Sequence, residues 1–156
     1  LRVSEDHDLP RVQTIQNEYS LLCRLYDTDL AELSVNEEVA LLAYSPLAAG
    51  MLTGKYQNGA VPKGSRMEGN GDLAGRATER AFAAVAAYQA VADAHGLDLV
   101  HMALAFTVDR PFGVSTIFGA TTSEQLAHIL AGLDVTLTDE VRAAIGETHK
   151  AHAMPY

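Results

Sequence analysis

A single cysteine, Cys23, excludes an internal disulfide and fits a reducing compartment. No apolar run approaches the roughly 18 residues of a membrane-spanning helix, and no signal-peptide pattern is present, so a cytoplasmic location is expected. Positive charge is scarce too: 11 Lys and Arg against 20 Asp and Glu give a net charge of −9. So acidic a surface makes nucleic acid and anionic membranes poor partners. It leaves room for a phosphate ligand, because a few local cations can govern a cleft. An initiator methionine is missing as well; the start at Leu1 reads as a truncation, and a processed or misassigned start would look the same. What is present is an ordinary globular composition, 48% apolar over 156 residues. That is too apolar for disorder and long enough for one domain with a substantial core.

Val12 to Gln16 is β-rich and follows Pro10, which predicts a strand, with Asn17 to Ser20 turning out of it. Asp29 to Glu38 reads as a short helix capped by Thr28 or Asp29. Val39 to Tyr44 is an almost unbroken apolar run, as expected for a parallel strand covered on both faces. From Gly50 to Gly75 the glycines at 50, 54, 59, 64, 69, 71 and 75, with Pro62, leave little room for regular structure. This segment, about 50–77, reads as a loop over a ligand rather than a linker.

Thr78 to His95 then predicts a helix, with Ala81, Phe82, Val85, Tyr88 and Ala92 near one face and Gly96 at its C-terminal cap. Asp98 caps a second helix, Leu99 to Asp109, which Pro111 terminates. Gly113 to Ile117 is a third strand, and Thr122-x-x-Gln125 has the pattern of a capping box opening a helix to about Ala131. A final helix follows Thr138 and fades near His149. Strands separated by helices imply parallel pairing through crossovers. Three such strands are few for a complete sheet: either the sheet is tiny or it is part of something larger.

Two stretches carry the chemistry. Leu41 to Leu47 (LLAYSPL) is a strand that delivers Tyr44 and Ser45 at its C-terminal end. Ser115 to Gln125 (STIFGATTSEQ) delivers Gly119, Thr121 and Thr122 to a helix N-terminus, where free N–H groups favour phosphate. Such strand ends are where parallel α/β folds hold their ligands. A flat, phosphorylated cofactor is indicated. Taken singly, each residue has a plainer reading: Tyr44 as a core aromatic, Gln16 as structural, Lys55 and Arg66 as solvated loop charges. No metal site is expected. His149 and His152 lack an acidic or cysteine partner nearby, and His95 and His101 read as a helix end and a solvated or satisfied position.

The ordered set of motifs resembles the aldo-keto reductase superfamily of (β/α)8-barrel oxidoreductases, in the subgroup of Tas-type proteins and potassium-channel β subunits. The matching pieces are Gln16-Asn17-Glu18-Tyr19-Ser20-Leu21-Leu22, Leu42-Ala43-Tyr44-Ser45-Pro46-Leu47, Leu52-Thr53-Gly54-Lys55-Tyr56, Arg66, and Gly119-Ala120-Thr121-Thr122-Ser123-Glu124-Gln125-Leu126. They look like the ends of the last three barrel strands. The resemblance therefore implies an α/β fold and a partial TIM barrel, residues 1–156 forming the C-terminal half as one partial domain.

By the same resemblance, Gln16 would hydrogen-bond the nicotinamide carboxamide and Tyr44 would stack on the nicotinamide ring. Ser45, Leu47 and Gly50 would meet the pyrophosphate. Lys55 and Arg66 would supply cations for the phosphates, and Gly119, Thr121 and Gln125 would cradle the adenosine and 2′-phosphate of NADPH. No stretch matches the motifs around the family's Asp, Tyr, Lys and His tetrad, so no catalytic residue is assigned and the chain is expected to be inactive alone. The family offers Glu-Asn for the adenine where this chain has His128-Ile129, and Ile129 cannot make an amide's hydrogen bonds. The resemblance implies an NADPH-dependent reductase of small carbonyl compounds represented by its cofactor-binding half. The alternative is a non-enzymatic half-barrel that binds a nucleotide or a protein partner. Self-association through exposed sheet edges is also expected.

Overall fold

The computed structural model describes all 156 residues. Its centre is a three-stranded parallel sheet in the order β1-β2-β3, formed by Thr14–Glu18, Ala40–Tyr44 and Val114–Ile117. Register aligns Gln16 with Leu42 and Ser115, and β2 carries Tyr44 between Glu18 and Ile117 at its C-terminal end. The helices are α1 (Arg2–Asp6), α2 (Leu30–Glu37), α3 (Arg66–Gly69), α4 (Glu79–Ala94), α5 (Leu99–Val108), α6 (Ser123–Leu130) and α7 (Asp139–Ala151). None is long and apolar enough to cross a membrane.

Caps explain where the principal helices begin. The hydroxyls of Thr78, Thr122 and Thr138 accept N–H bonds from Ala81, Gln125 and Val141, and Asp98 accepts two, from Val100 and His101. Each satisfies donors that a helix start leaves without an internal partner. Helix α4 stops at His95, and Gly96 takes the left-handed turn beyond it (φ 65°) at no cost in Cβ strain.

The sheet corrects one expectation. Leu41 and Ala43 are fully buried, while Leu42 on the opposite face is half-buried and Tyr44 is exposed. Strand β2 is therefore covered on one face only. The same alternation runs through β3, so Gln16, Leu42, Tyr44, Ser115 and Ile117 share an open face. The accessible area, 8789 Å², exceeds the roughly 7,600 Å² of a compact 16.7 kDa chain, in line with an uncovered layer. The outer edges of β1 and β3 carry no partner strand.

On the covered face lies an aromatic core. Tyr19 stacks on Phe106 at 5.6 Å between ring centroids, with Tyr26 and Phe112 packed edge-on to Tyr19. Tyr88 on α4 donates to the Leu21 carbonyl at 3.0 Å, and burial pushes its hydroxyl up to about 12. Burial likewise raises the Cys23 thiol, a free and half-buried side chain.

Two more departures are local. Strand β1 runs through Asn17 and Glu18, where a turn was expected, because those residues pair with Ala43 and Tyr44. The segment around 50–77 contains short 3-10 turns at Ala48–Thr53 and Gln57–Gly59, besides α3. Its apolar residues Met51, Leu52, Tyr56, Met67 and Leu73 are buried without helical or strand period, which is why pattern alone showed no structure there.

Candidate functional site

Beyond the C-terminal ends of β2 and β3 the chain encloses a cleft of about 810 Å³. Three segments line it. The first leaves β2 as Tyr44, Ser45 and Leu47 and bends sharply: Ser45, Ala48 and Ala49 all have left-handed backbone (φ 54°, 47° and 57°), followed by Gly50 at φ 94°. Left-handed conformations at three non-glycine residues within five positions carry strain that packing must hold in place. Thr53 helps by donating to the Gly50 carbonyl at 2.8 Å. A Cβ on Gly50 would come within 3.2 Å of the Lys55 ammonium, so the absence of a side chain leaves that cation its place in the cleft.

The second segment contributes Lys55, Lys63, Ser65 and Arg66. Lys55 sits over the Tyr56 ring at 5.0 Å from its centroid. The Ser65 hydroxyl and the Tyr56 hydroxyl are buried without a hydrogen-bond partner. Buried polar atoms almost always have one, so the unpaired Ser65 hydroxyl, in a cleft lining that also holds Lys55, Lys63 and Arg66, is a donor suited to an anionic ligand.

The third segment runs from β3 through Gly119 and Thr121 into α6. Here two of the N–H groups at the helix start are already engaged. The Gln125 N–H goes to the Thr122 hydroxyl, and the Gln125 side-chain oxygen takes both the Thr121 N–H (2.9 Å) and its hydroxyl (3.0 Å). The helix start is capped from within, one residue out of register with the expected box. The Gln125 side chain, whose oxygen is thus occupied, keeps its NH2 as a donor in the cleft lining. Glu124, in the same first turn, is held below the usual carboxylate range by its own backbone N–H and by Thr122.

Nine of the ten residues expected to bind cofactor line this cleft: Tyr44, Ser45, Leu47, Gly50, Lys55, Arg66, Gly119, Thr121 and Gln125. The tenth, Gln16, is exposed on the open face of β1, level with Leu42 and outside the cleft lining. Missed by sequence reasoning were Lys63, Ser65 and Asp98. Lys63 and Ser65 belong to the glycine-rich run and carried no periodic signal. Asp98 and His128 also line the cleft, 30 positions apart, and bond to each other at 3.2 Å.

Farther along β1, the Glu18 carboxylate meets the Arg76 guanidinium in a two-pronged pair (2.7 and 2.9 Å) and also accepts from the Tyr156 hydroxyl at 3.1 Å. This fastens the end of the long segment to the strand end beside Tyr44.

The sequence profile of the Aldo/keto reductase family matches residues 2–150. The chain belongs to this family. It is 46% identical to the protein Tas of Escherichia coli strain K12 over 99% of its own length and 45% of that protein's. It is 35% identical to a probable voltage-gated potassium channel subunit beta of Arabidopsis thaliana, over 77% of this chain and 38% of that one. It thus spans about half the length of the curated relatives it matches or less. Among solved structures, a glycerol dehydrogenase from Gluconobacter oxydans superposes with a TM-score of 0.76 at 22% identity, over 98% of this chain and 47% of that chain. The fold of this aldo/keto reductase chain is accordingly part of a (β/α)8 barrel, about its last three strands with their helices.

Proposed function

We propose that this chain is the cofactor-binding C-terminal half of an NADPH-dependent aldo-keto reductase acting on small carbonyl compounds. The observation that carries the reading is the cleft at the ends of β2 and β3, where three separated segments converge with Lys55, Lys63 and Arg66 beside the unpaired Ser65 hydroxyl. That donor set fits a dinucleotide phosphate. Lys55, Lys63 and Arg66 would hold the phosphates, with Ser65 and the Gln125 amide completing the hydrogen bonds. Tyr44, exposed at the strand end, offers a flat face for the nicotinamide. When bound, NADPH would supply the hydride that reduces the carbonyl. This chain's residues would bind and orient; no group in the motifs matched here takes the part of the general acid.

Calorimetry with NADPH and NADH, on the wild type and Arg66→Ala, tests the reading. NADPH should bind more tightly than NADH and weaken with salt, and Arg66→Ala should cost roughly tenfold for NADPH, the scale of one charge-assisted hydrogen bond. Equal affinity for both nucleotides in both proteins would remove Arg66 from the site.

The second reading, a non-enzymatic half-barrel that binds a nucleotide or a partner, is favoured by the likeness to the Arabidopsis channel subunit together with the uncovered sheet face. The upstream DNA separates the two. An in-frame first half supports the reductase, and a genuine start without one supports the module.

A further inference from the structure

At the edge of the cleft, three metal-ligating side chains converge from two helices. Asp98 caps α5, His101 lies one turn into the same helix, and His128 is in the last turn of α6. One ligand atom from each lies within 4.8 Å of the others. The Asp98 Oδ1 and His128 Nε2 are 3.2 Å apart, and the two imidazoles lie 4.8 Å apart between centroids. Two ligands on one tetrahedral zinc, each about 2.0–2.1 Å from the ion, are about 3.3 Å apart. The first pair is therefore already at coordinating separation, and the third ligand atom, on His101, lies within 4.8 Å of both.

The surroundings look built for these rings. His101 Nε2 donates to the His128 carbonyl at 2.7 Å, which fixes the ring's orientation as outer-shell contacts do around metal-binding histidines. Gly132, just past α6, makes room for it: a Cβ there would lie 2.3 Å from the His101 Cδ2 and 2.4 Å from its Cγ. Asp98 and His128 are about half exposed at the cleft, so an ion can reach them and a fourth position would face open solvent. The overall charge of −9 favours cations in general.

We propose that Asp98, His101 and His128 form a site for a divalent transition metal of the zinc class, through one carboxylate oxygen and two imidazole nitrogens, bridging α5 and α6 at the rim of the cleft. Imidazole with carboxylate suits zinc and its neighbours, and an open fourth position leaves room for water. The site is independent of the nucleotide reading, since it needs no NADPH.

Calorimetric titration of the nucleotide-free full chain with ZnCl2, and the visible spectrum after Co2+ addition, test it. The wild type should bind one ion, with a tetrahedral Co2+ spectrum. Asp98→Asn keeps the helix cap, because asparagine caps as well as aspartate. It should nevertheless weaken binding at least 10–100-fold, the scale already reached by loss of outer-shell partners. His128→Gln should do the same, and Gly132→Ala should weaken binding by displacing the His101 ring with all three ligands intact. A His149→Gln, His152→Gln double variant should leave the affinity unchanged. Circular dichroism confirms that each variant is folded. Absence of Zn2+ binding to the wild type, or wild-type affinity in Asp98→Asn and His128→Gln, overturns the proposal. Loss of binding in the His149/His152 variant instead places the ion on α7 and overturns it equally.

Discussion

Removal of Glu18 should loosen both the fold and the cleft. Its carboxylate accepts two hydrogen bonds from Arg76 and one from Tyr156, and the side chains of Glu18 and Arg76 are only 15% and 16% exposed. Exposed pairs contribute about 0–1 kcal/mol, and breaking a fully buried pair costs about 3–5 kcal/mol. Glu18→Ala, which leaves Arg76 largely desolvated without its partner, falls between these limits at about 2–3 kcal/mol. Arg76→Ala should cost a similar amount, and it also gives up the bonds to the Leu73 and Ala74 carbonyls. The double variant should cost clearly less than the sum, because the second change removes a charge the first had stranded. Urea unfolding of the four proteins in a double-mutant cycle measures this. The pair also holds the end of the 50–77 segment, so both single variants should weaken NADPH binding without touching the cleft. Single-variant costs below about 0.5 kcal/mol that simply add would show the pair to be an ordinary surface contact and refute the reasoning.

Three further outcomes are expected. The chain alone should not reduce 4-nitrobenzaldehyde with NADPH, since losing general-acid assistance costs about 10²–10⁴-fold and substrate positioning is lost besides; turnover by a contaminant-free sample at rates ordinary for reductases would contradict this. The chain should self-associate: the area above a compact chain's, about 1,200 Å² per copy, is on the scale of a stable interface, and unpaired strand edges flank it. A monodisperse monomer by light scattering, with cooperative unfolding by near-UV circular dichroism, would show that this half stands alone. Finally, the Arg142 guanidinium hydrogen-bonded to Asp109 holds that carboxyl below the usual range against the opposing effect of burial. A depressed carboxylate stabilises the fold above its unfolded pKa of about 3.9 and loses that contribution as pH falls toward the lower folded value. Asp109→Asn should therefore flatten the acid limb of the stability curve below about pH 4; an unchanged limb would remove this pair from the acid response.

The extent to which the chain could be read in advance follows from the range of each interaction. Local signals settled the elements: Thr78, Asp98, Thr122 and Thr138 are all caps, and the apolar run at Ala40–Tyr44 is a strand within one residue of its expected start. Each depends on neighbours within a few positions, which sequence displays directly. The ordered motifs likewise led to the Aldo/keto reductase family and to nine of the cleft's lining residues. The α1 turn at Arg2–Asp6 was not anticipated, having neither a side-chain cap nor a buried residue.

Tertiary structure decided what lies between distant segments. The continuous apolar pattern of β2 suggested two covered faces, and only the arrangement of helices shows that Leu42 and Tyr44 are left open. Lys63 and Ser65 join the cleft because left-handed residues fold a glycine-rich segment back on itself, and backbone sign is invisible in a list of residues. Asp98 could be recognised as a cap from its neighbours. That it also meets His128, 30 residues away and on another helix, depended on how α5 and α6 pack, with Gly132 clearing the space for His101 between them. Caps and periods are written within a turn or two of chain; charge partners and ligand sets are made by contacts whose spacing only packing determines.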